Sequence, residues 1–173
     1  MDRTAERDFT AFYDATWSRT VACAYAMTGE LGAAEDLAQE AYTRAWPRWT
    51  ALKDYDDPGA WVRQVATRLA VSRWRRTRTS LNFLARQKAP EPMAPPSETT
   101  MLLVGALRQL PESQRRAVVL HHLAELPVAE VARLEHCPEG TVKARLSRGR
   151  AALAVLLGGP SSAHSENGEP SHA

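Results

Sequence analysis

The residues best suited to chemistry in this chain are cationic and hydroxylated rather than catalytic. Between residues 139 and 157 an unbroken helical pattern carries Thr141, Lys143, Arg145, Ser147, Arg148 and Arg150. Such side chains hydrogen-bond to phosphate oxygens, and Arg and Lys also read the acceptor edge of guanine. A shorter helical pattern precedes it from Val128, with a turn at His136-Cys137-Pro138 between them. Helix, turn and basic second helix form the layout of a helix-turn-helix, whose second helix enters the DNA major groove. Taken by itself, the pattern is also compatible with a basic amphipathic helix on an ordinary bundle.

A second cationic group runs from Arg63 to Arg78: Arg63, Arg68, Arg73, Arg75, Arg76 and Arg78, without an acidic residue between them, with Trp74 among them and Trp61 just ahead. Guanidinium groups track phosphates, and exposed rings stack on unpaired bases, so this segment suits separated strands. Trp61 falls on the expected inward stripe, whereas Trp74 sits inside the arginine run and is the better candidate for contact with DNA. The opposite charge gathers at Glu35, Asp36, Gln39 and Glu40, whose spacings place them on one helix face suited to a basic protein surface. A solvated face whose acids complement a helix amino terminus is the competing reading there. The net charge of +2 hides both patches.

No nucleophile and base, phosphate-cradling glycine loop or carboxylate pair stands out, which argues against an enzyme and leaves no catalytic residue to name. His121 and His122 are adjacent and diverge around a helix, and Cys23 and Cys137 are far apart. Neither pair has metal-ligand spacing, so no metal or other cofactor is expected. Two unpaired cysteines, a polar amino terminus and the lack of a long apolar run suit a cytoplasmic protein without membrane insertion.

The elements that position these residues read as helices throughout, and the expected class is all-α. Phe9, Phe12, Tyr13, Trp17 and Val21 form one apolar stripe. After Gly29 and Gly32, a helix over residues 33–46 buries Leu37, Ala38, Ala41, Tyr42 and Ala45, and Pro47 stops it. A loop at residues 53–59 leads into a helix to Arg76, with Trp61, Val65, Leu69 and Ser72 inward. Pro90, Pro92, Pro95 and Pro96 preclude a helix between residues 79 and 100, which reads as an extended, flexible linker. Beyond it, Leu102, Leu103, Ala106, Leu107 and Leu110 mark a helix ending before Pro111, and Val118, Val119 and Leu123 the core side of the next. The chain thus divides into two small helical domains, residues 1–78 and 101–157, with a disordered tail over residues 158–173.

The stretch LPVAEVARLEHCPEGTVKARL, residues 126–146, closely resembles region 4 of bacterial sigma factors of the extracytoplasmic-function (ECF) type in the sigma-70 family. The Leu110-Pro111-Glu112 step into a helix with Gln114 and Arg115 fits it too. Upstream, Ala34-Glu35-Asp36-Leu37-Ala38-Gln39-Glu40 with Ala45-Trp46 resembles the region 2 helix, and residues 60–76 its promoter-melting helices. The resemblance covers residues 9–157, in the family's order. It implies a transcription initiation factor whose partners are core RNA polymerase and promoter DNA. Glu35, Asp36, Gln39 and Glu40 would dock on a basic coiled coil of the largest polymerase subunit. Arg63, Arg68, Arg73, Trp74, Arg75 and Arg76 would hold the melted downstream element. Arg115, Thr141, Lys143, Ala144, Arg145, Ser147 and Arg148 would face the duplex upstream element, Arg148 as base reader and Arg145 as phosphate clamp. Family members commonly carry Asn where this chain has Arg68, which implies an altered base preference in the melted element. An anti-sigma protein is a further partner that the resemblance leaves open. Two other functions remain in view: a helix-turn-helix regulator acting without polymerase, which would leave the acidic face idle, and a protein-only helical adaptor, which would leave the basic helix unexplained.

Overall fold

The computed structural model describes residues 3–79 and 97–158, with side chains through residue 76 in the first stretch. Most of the expected linker and tail lies outside the described residues. Within them the protein is helical, with no strand.

Helix α1, Arg3–Thr28, carries the aromatic stripe in one continuous run. Gly29 ends it: the residue adopts φ +74°, which costs glycine nothing, and its amide donates to the Tyr25 carbonyl at 2.8 Å. Helix α2, Leu31–Ala45, buries Ala33, Ala34, Leu37, Ala38, Ala41, Tyr42 and Ala45, including all five expected positions. The alanines allow close approach to α1. Tyr42 fills the space beyond them, its ring beside Phe9, Phe12, Tyr13 and Trp17. Its buried hydroxyl is satisfied by Thr16 at 2.8 Å and Thr20 at 3.2 Å. Pro47 ends α2 by diverting the chain through a 3-10 turn, Trp46–Arg48, into the short α3, Trp49–Leu52, which buries Trp49 and Leu52.

Helix α4, Pro58–Thr79, opens on an Asp57 cap, whose Oδ1 accepts the Ala60 amide at 2.9 Å, with Pro58 in the first turn. Its burial differs from the sequence expectation. Val62, Ala66 and Ala70 lie fully inside the first core, Trp61, Val65 and Leu69 pack along its edge, and Ser72 is exposed. A further row, Arg63, Thr67 and Val71, is buried as well. The reason is that α4 is covered on two sides, so small residues occupy the closest approaches.

The second cover is the second domain. It comprises α5, Glu98–Gln109, capped by Ser97; α6, Glu112–Val118; a π-helical turn, Val119–Leu123; α7, Val128–Glu135; and α8, Glu139–Leu157. Leu107, Leu110, Ala117, Val118, Val119, Leu120, Leu126, Val131, Val142 and Leu146 form its core, and Ala26 of α1 and Val71 of α4 belong to the same cluster. The two domains therefore share apolar surface. Leu103 packs on this core as expected, but Leu102 points outward at 64% exposure, its place in α5 taken by Val104.

Candidate protein and nucleic-acid interfaces

The helix-turn-helix is built from α7, the turn and α8. His136 ends α7 in the left-handed conformation at φ 50°, and Pro138 leads into α8. Charge ties α7 to α6 and to α8. Glu135, 2% exposed in its side chain, receives both ends of the Arg116 guanidinium at 3.0 and 2.5 Å. Behind α8, Gly149 meets α6 so closely that a Cβ there would lie 2.7 Å from Val118 Cγ2. Val142, Leu146 and Gly149 thus face inward, and Lys143, Ser147, Arg148 and Arg150 are exposed, with Thr141 and Ala144 half-buried beside them. No carboxylate is paired with Lys143 or Arg148 among the described residues.

Two residues expected on this surface sit differently. Arg145 turns back toward the turn, 3.7 Å from Glu135 and 3.6 Å from Cys137 Sγ, because α8's rotation carries its side chain past the outer face. Its placement is that of a brace rather than a phosphate clamp. Arg115 is half-buried, donating to the Arg108 carbonyl at 3.3 Å, and burial lowers its guanidinium from the usual arginine value.

On α2, Gln39 and Glu40 are exposed and Glu35 and Asp36 half-buried, all away from the core. Glu40 pairs with Arg44 at 2.8 Å. Since α2 begins at Leu31, its first turn holds no acidic residue. The macrodipole fades beyond that turn, so it does not account for Asp36 and Glu40.

The six residues expected to hold melted DNA divide. Arg76 is exposed, and Arg73 and Arg75 are half-buried near the end of α4. Arg63 is only 2% exposed. Its Nε donates to the Leu123 carbonyl at 2.9 Å, and its Nη2 to Asp57 at 3.0 Å and Glu125 at 2.6 Å. In this arrangement Arg63 is a structural tie between domains, not a surface for DNA. Arg68 pairs with Glu130 at 3.2 Å, and the Trp74 ring lies under the Arg116 guanidinium, 3.6 Å from its centroid. Burial works to raise the Asp57 carboxyl, but the Ala60 amide and Arg63 outweigh it and hold it below its ordinary value.

Sequence reasoning missed Glu125 and Glu130, the acids that engage α4. It also passed over Tyr55, an aromatic ring 55% exposed in the loop leading into α4. An aromatic between aspartates in a turn, Asp54-Tyr55-Asp56, was the available signal for the latter. Cys23 is buried between the domains, and burial pushes its thiol up to about 11, so it is an inert packing residue. Among the described residues no group of His, Cys, Asp and Glu is arranged to hold a metal, and no helix is long and apolar enough to cross a membrane.

Comparison with known proteins follows the same division. Residues 13–80 match the family model for Sigma-70 region 2, and residues 100–153 that for Sigma-70, region 4. The ECF RNA polymerase sigma factor SigW of Bacillus subtilis is 28% identical over 149 residues, covering 77% of this chain and 80% of that protein. The RNA polymerase sigma-E factor of Streptomyces coelicolor is 32% identical over 124 residues, 69% of each. The fold is similar to that of the sigma factor RpoE solved with the anti-sigma factor NepR from Bartonella quintana, with a TM-score of 0.56, 24% identity, and coverage of 88% of this chain and 98% of that one. Two regions in the family's order, on the helices that carry the acidic and basic surfaces, lead to one conclusion: the chain belongs to the ECF group of the sigma-70 family, the sigma factors that bind core RNA polymerase and direct transcription initiation at promoters.

Proposed function

We propose that three surfaces divide the work of initiation. The outer face of α2, with Glu35, Asp36, Gln39 and Glu40, docks on a basic surface of core polymerase. The exposed face of α8, with Lys143, Ala144, Ser147 and Arg148, reads the upstream element as duplex, supported by Thr141 and Arg115. Helix α4, through Arg68, Arg73, Trp74, Arg75 and Arg76, takes the melted strand of the downstream element, and Tyr55 offers a ring for an unstacked base. Polymerase fixes the spacing of the two domains, so that weak contacts at both elements act together. The factor acts in the cytoplasm and carries out no covalent chemistry of its own. The Bartonella relative was solved with an anti-sigma factor, and an inhibitor of that class is a further partner to be sought for this chain.

The observation that carries this reading is the outer face of α2, where Glu40 is exposed and Glu35 and Asp36 are half-buried, all beyond the first turn in which the helix dipole would account for acids, on the same domain as the arginine-bearing α4. A DNA regulator working without polymerase has no use for that face. The test is holoenzyme carrying Arg73→Ala and Arg76→Ala. It should retain polymerase binding and protection of the upstream duplex, yet lose permanganate reactivity of unpaired thymines downstream. Unchanged reactivity would remove α4 from strand capture.

A further inference from the structure

Glu135 is an acid where nothing local favours one. It is the last residue of α7, at the negative end of that helix's dipole, and its side chain is buried. A carboxylate taken out of water there is costly unless it is fully paired, so an apolar residue would serve packing better. Two other helices hold it. Arg116 of α6 donates from Nε at 3.0 Å and from Nη2 at 2.5 Å, and Arg145 of α8 approaches to 3.7 Å. Arg116 in turn lies 3.5 Å from Glu112. Three helices thus meet at one carboxylate, directly ahead of the left-handed His136 that launches α8.

Helix α8 rests on α6 at Gly149 and on the core through Val142 and Leu146. Those apolar contacts fix how deeply the helix sits, but hydrophobic attraction has no direction. The two-pronged pairing of Arg116 with Glu135 does have one, and Arg145 carries it onto α8. From Gly149 back to Thr141 the helix forms a lever of about 12 Å, at about 1.5 Å per residue. A tilt of about 10° at Gly149 would move Thr141 by about 2 Å, enough to take a donor out of hydrogen-bond reach.

We propose that the buried Glu135 carboxylate is a positioning residue for duplex reading. It sets the tilt of α8, and with it whether Lys143, Ser147 and Arg148 reach the major groove together. Glu135 touches no DNA itself. Glu112, Arg116, Glu135 and Arg145 all belong to the second domain. The inference deepens the reading role of α8 proposed above and rests on it.

The test uses holoenzyme with two variants. Glu135→Gln keeps the volume and removes the charge. Glu135→Leu with Arg116→Leu replaces the pair by apolar groups, an exchange that often leaves stability unchanged or raised but supplies no direction. Spin labels on non-natural amino acids report the position of the α8 amino end by pulsed electron resonance. One sits at Gly140, where an added Cβ meets nothing within 4 Å, and the other at exposed Gln109 of α5. In holoenzyme without DNA the wild-type distance should be narrowly distributed, and in both variants it should shift or broaden by about 2 Å, the displacement of the lever. Affinity of unlabelled holoenzyme for a duplex carrying the upstream element should fall about tenfold in both, even where the urea midpoint of the leucine pair matches wild type. A carboxylate with only a structural role would lose affinity in step with stability, and the leucine pair would restore both. The distance is read on chains bound to polymerase, so a variant partly unfolded in solution still answers. A wild-type distance distribution in either variant overturns the proposal, whatever the affinity. If the distance changes but affinity does not, Glu135 sets the tilt and α8 is not the duplex reader, which overturns this inference and that role together.

Discussion

Replacing Arg148 and Arg145 separately by alanine should give two different kinds of loss, although the residues lie three apart on one basic helix. Arg148 is exposed on the outer face of α8 and has no carboxylate partner among the described residues. A guanidinium there, reading one base edge, is worth about 1–3 kcal/mol of discrimination, or roughly 5- to 150-fold in affinity. Its removal should cost that much at one upstream position, flatten preference there, and leave stability within about 0.5 kcal/mol of wild type. Arg145 is 25% exposed in its side chain and turned toward Glu135 and Cys137. Its removal takes one of two cations from a buried carboxylate that Arg116 still holds, a stability loss on the order of 1 kcal/mol. The turn then loosens, and affinity should fall for every upstream sequence alike. Because Arg145 is paired internally, the slope of binding against salt should not change. A lost phosphate contact would lower that slope by about one. The assay is holoenzyme binding to a panel of upstream variants at two salt concentrations, with urea unfolding of each full-length variant. A slope lower by one for Arg145→Ala, at unaltered stability, would refute the brace and restore it as a phosphate clamp. Equal weakening of all sequences by both variants would refute Arg148 as a reader.

Asp36→Lys with Glu40→Lys should weaken competition for core polymerase by at least tenfold while leaving the circular dichroism of the free chain unchanged; undiminished competition would show the α2 face to be solvated surface only. Gly149→Ala gains about 1 kcal/mol of helix propensity but forces a Cβ against Val118, whose β-branched side chain cannot swing clear. Overpacking of about 1–3 kcal/mol should dominate, lowering the urea midpoint of the chain, and Val118→Ala should relieve it. Asp57, whose carboxyl is held below its ordinary value, contributes stability that is present above about pH 3.9 and lost as the pH falls through its lower folded value. Wild type should therefore lose its advantage over Asp57→Asn in thermal unfolding below about pH 4 and keep it at pH 7, and an advantage independent of pH would contradict the assignment.

What was legible in the sequence follows from which interactions are local. The stripe Phe9 to Val21, the alanine face of α2 and the limits of α8 at Glu139 and Leu157 were readable because period, proline and glycine act within a few residues. The helix-turn-helix was readable for the same reason. Arg63 was not: an arginine within a cationic run reads as a phosphate contact, and its partners Leu123 and Glu125 lie 60 and 62 residues away. Arg68, which the resemblance reads as a change in base preference, is paired with Glu130, also 62 residues distant. A trace of the second buried side of α4 did exist. Arg63, Thr67 and Val71 recur every four residues beside Val62, Ala66 and Ala70, a double row of mostly small or β-branched residues, wider than one packed face requires. The inward turn of Arg145 depended on the rotation of α8, which Gly149 and Val118 set across the domain.

As a sigma factor, this chain gives core polymerase its choice of promoter. The most direct measurement is transcription in vitro by purified core polymerase on pooled genomic DNA of the host, with and without the chain, reading the 5′ ends of the transcripts. New starts should appear that share one upstream and one downstream element at a constant separation. These starts should vanish with Asp36→Lys and Glu40→Lys and redistribute among upstream sequences with Arg148→Ala. No new starts, or starts without a shared pair of elements, would contradict it.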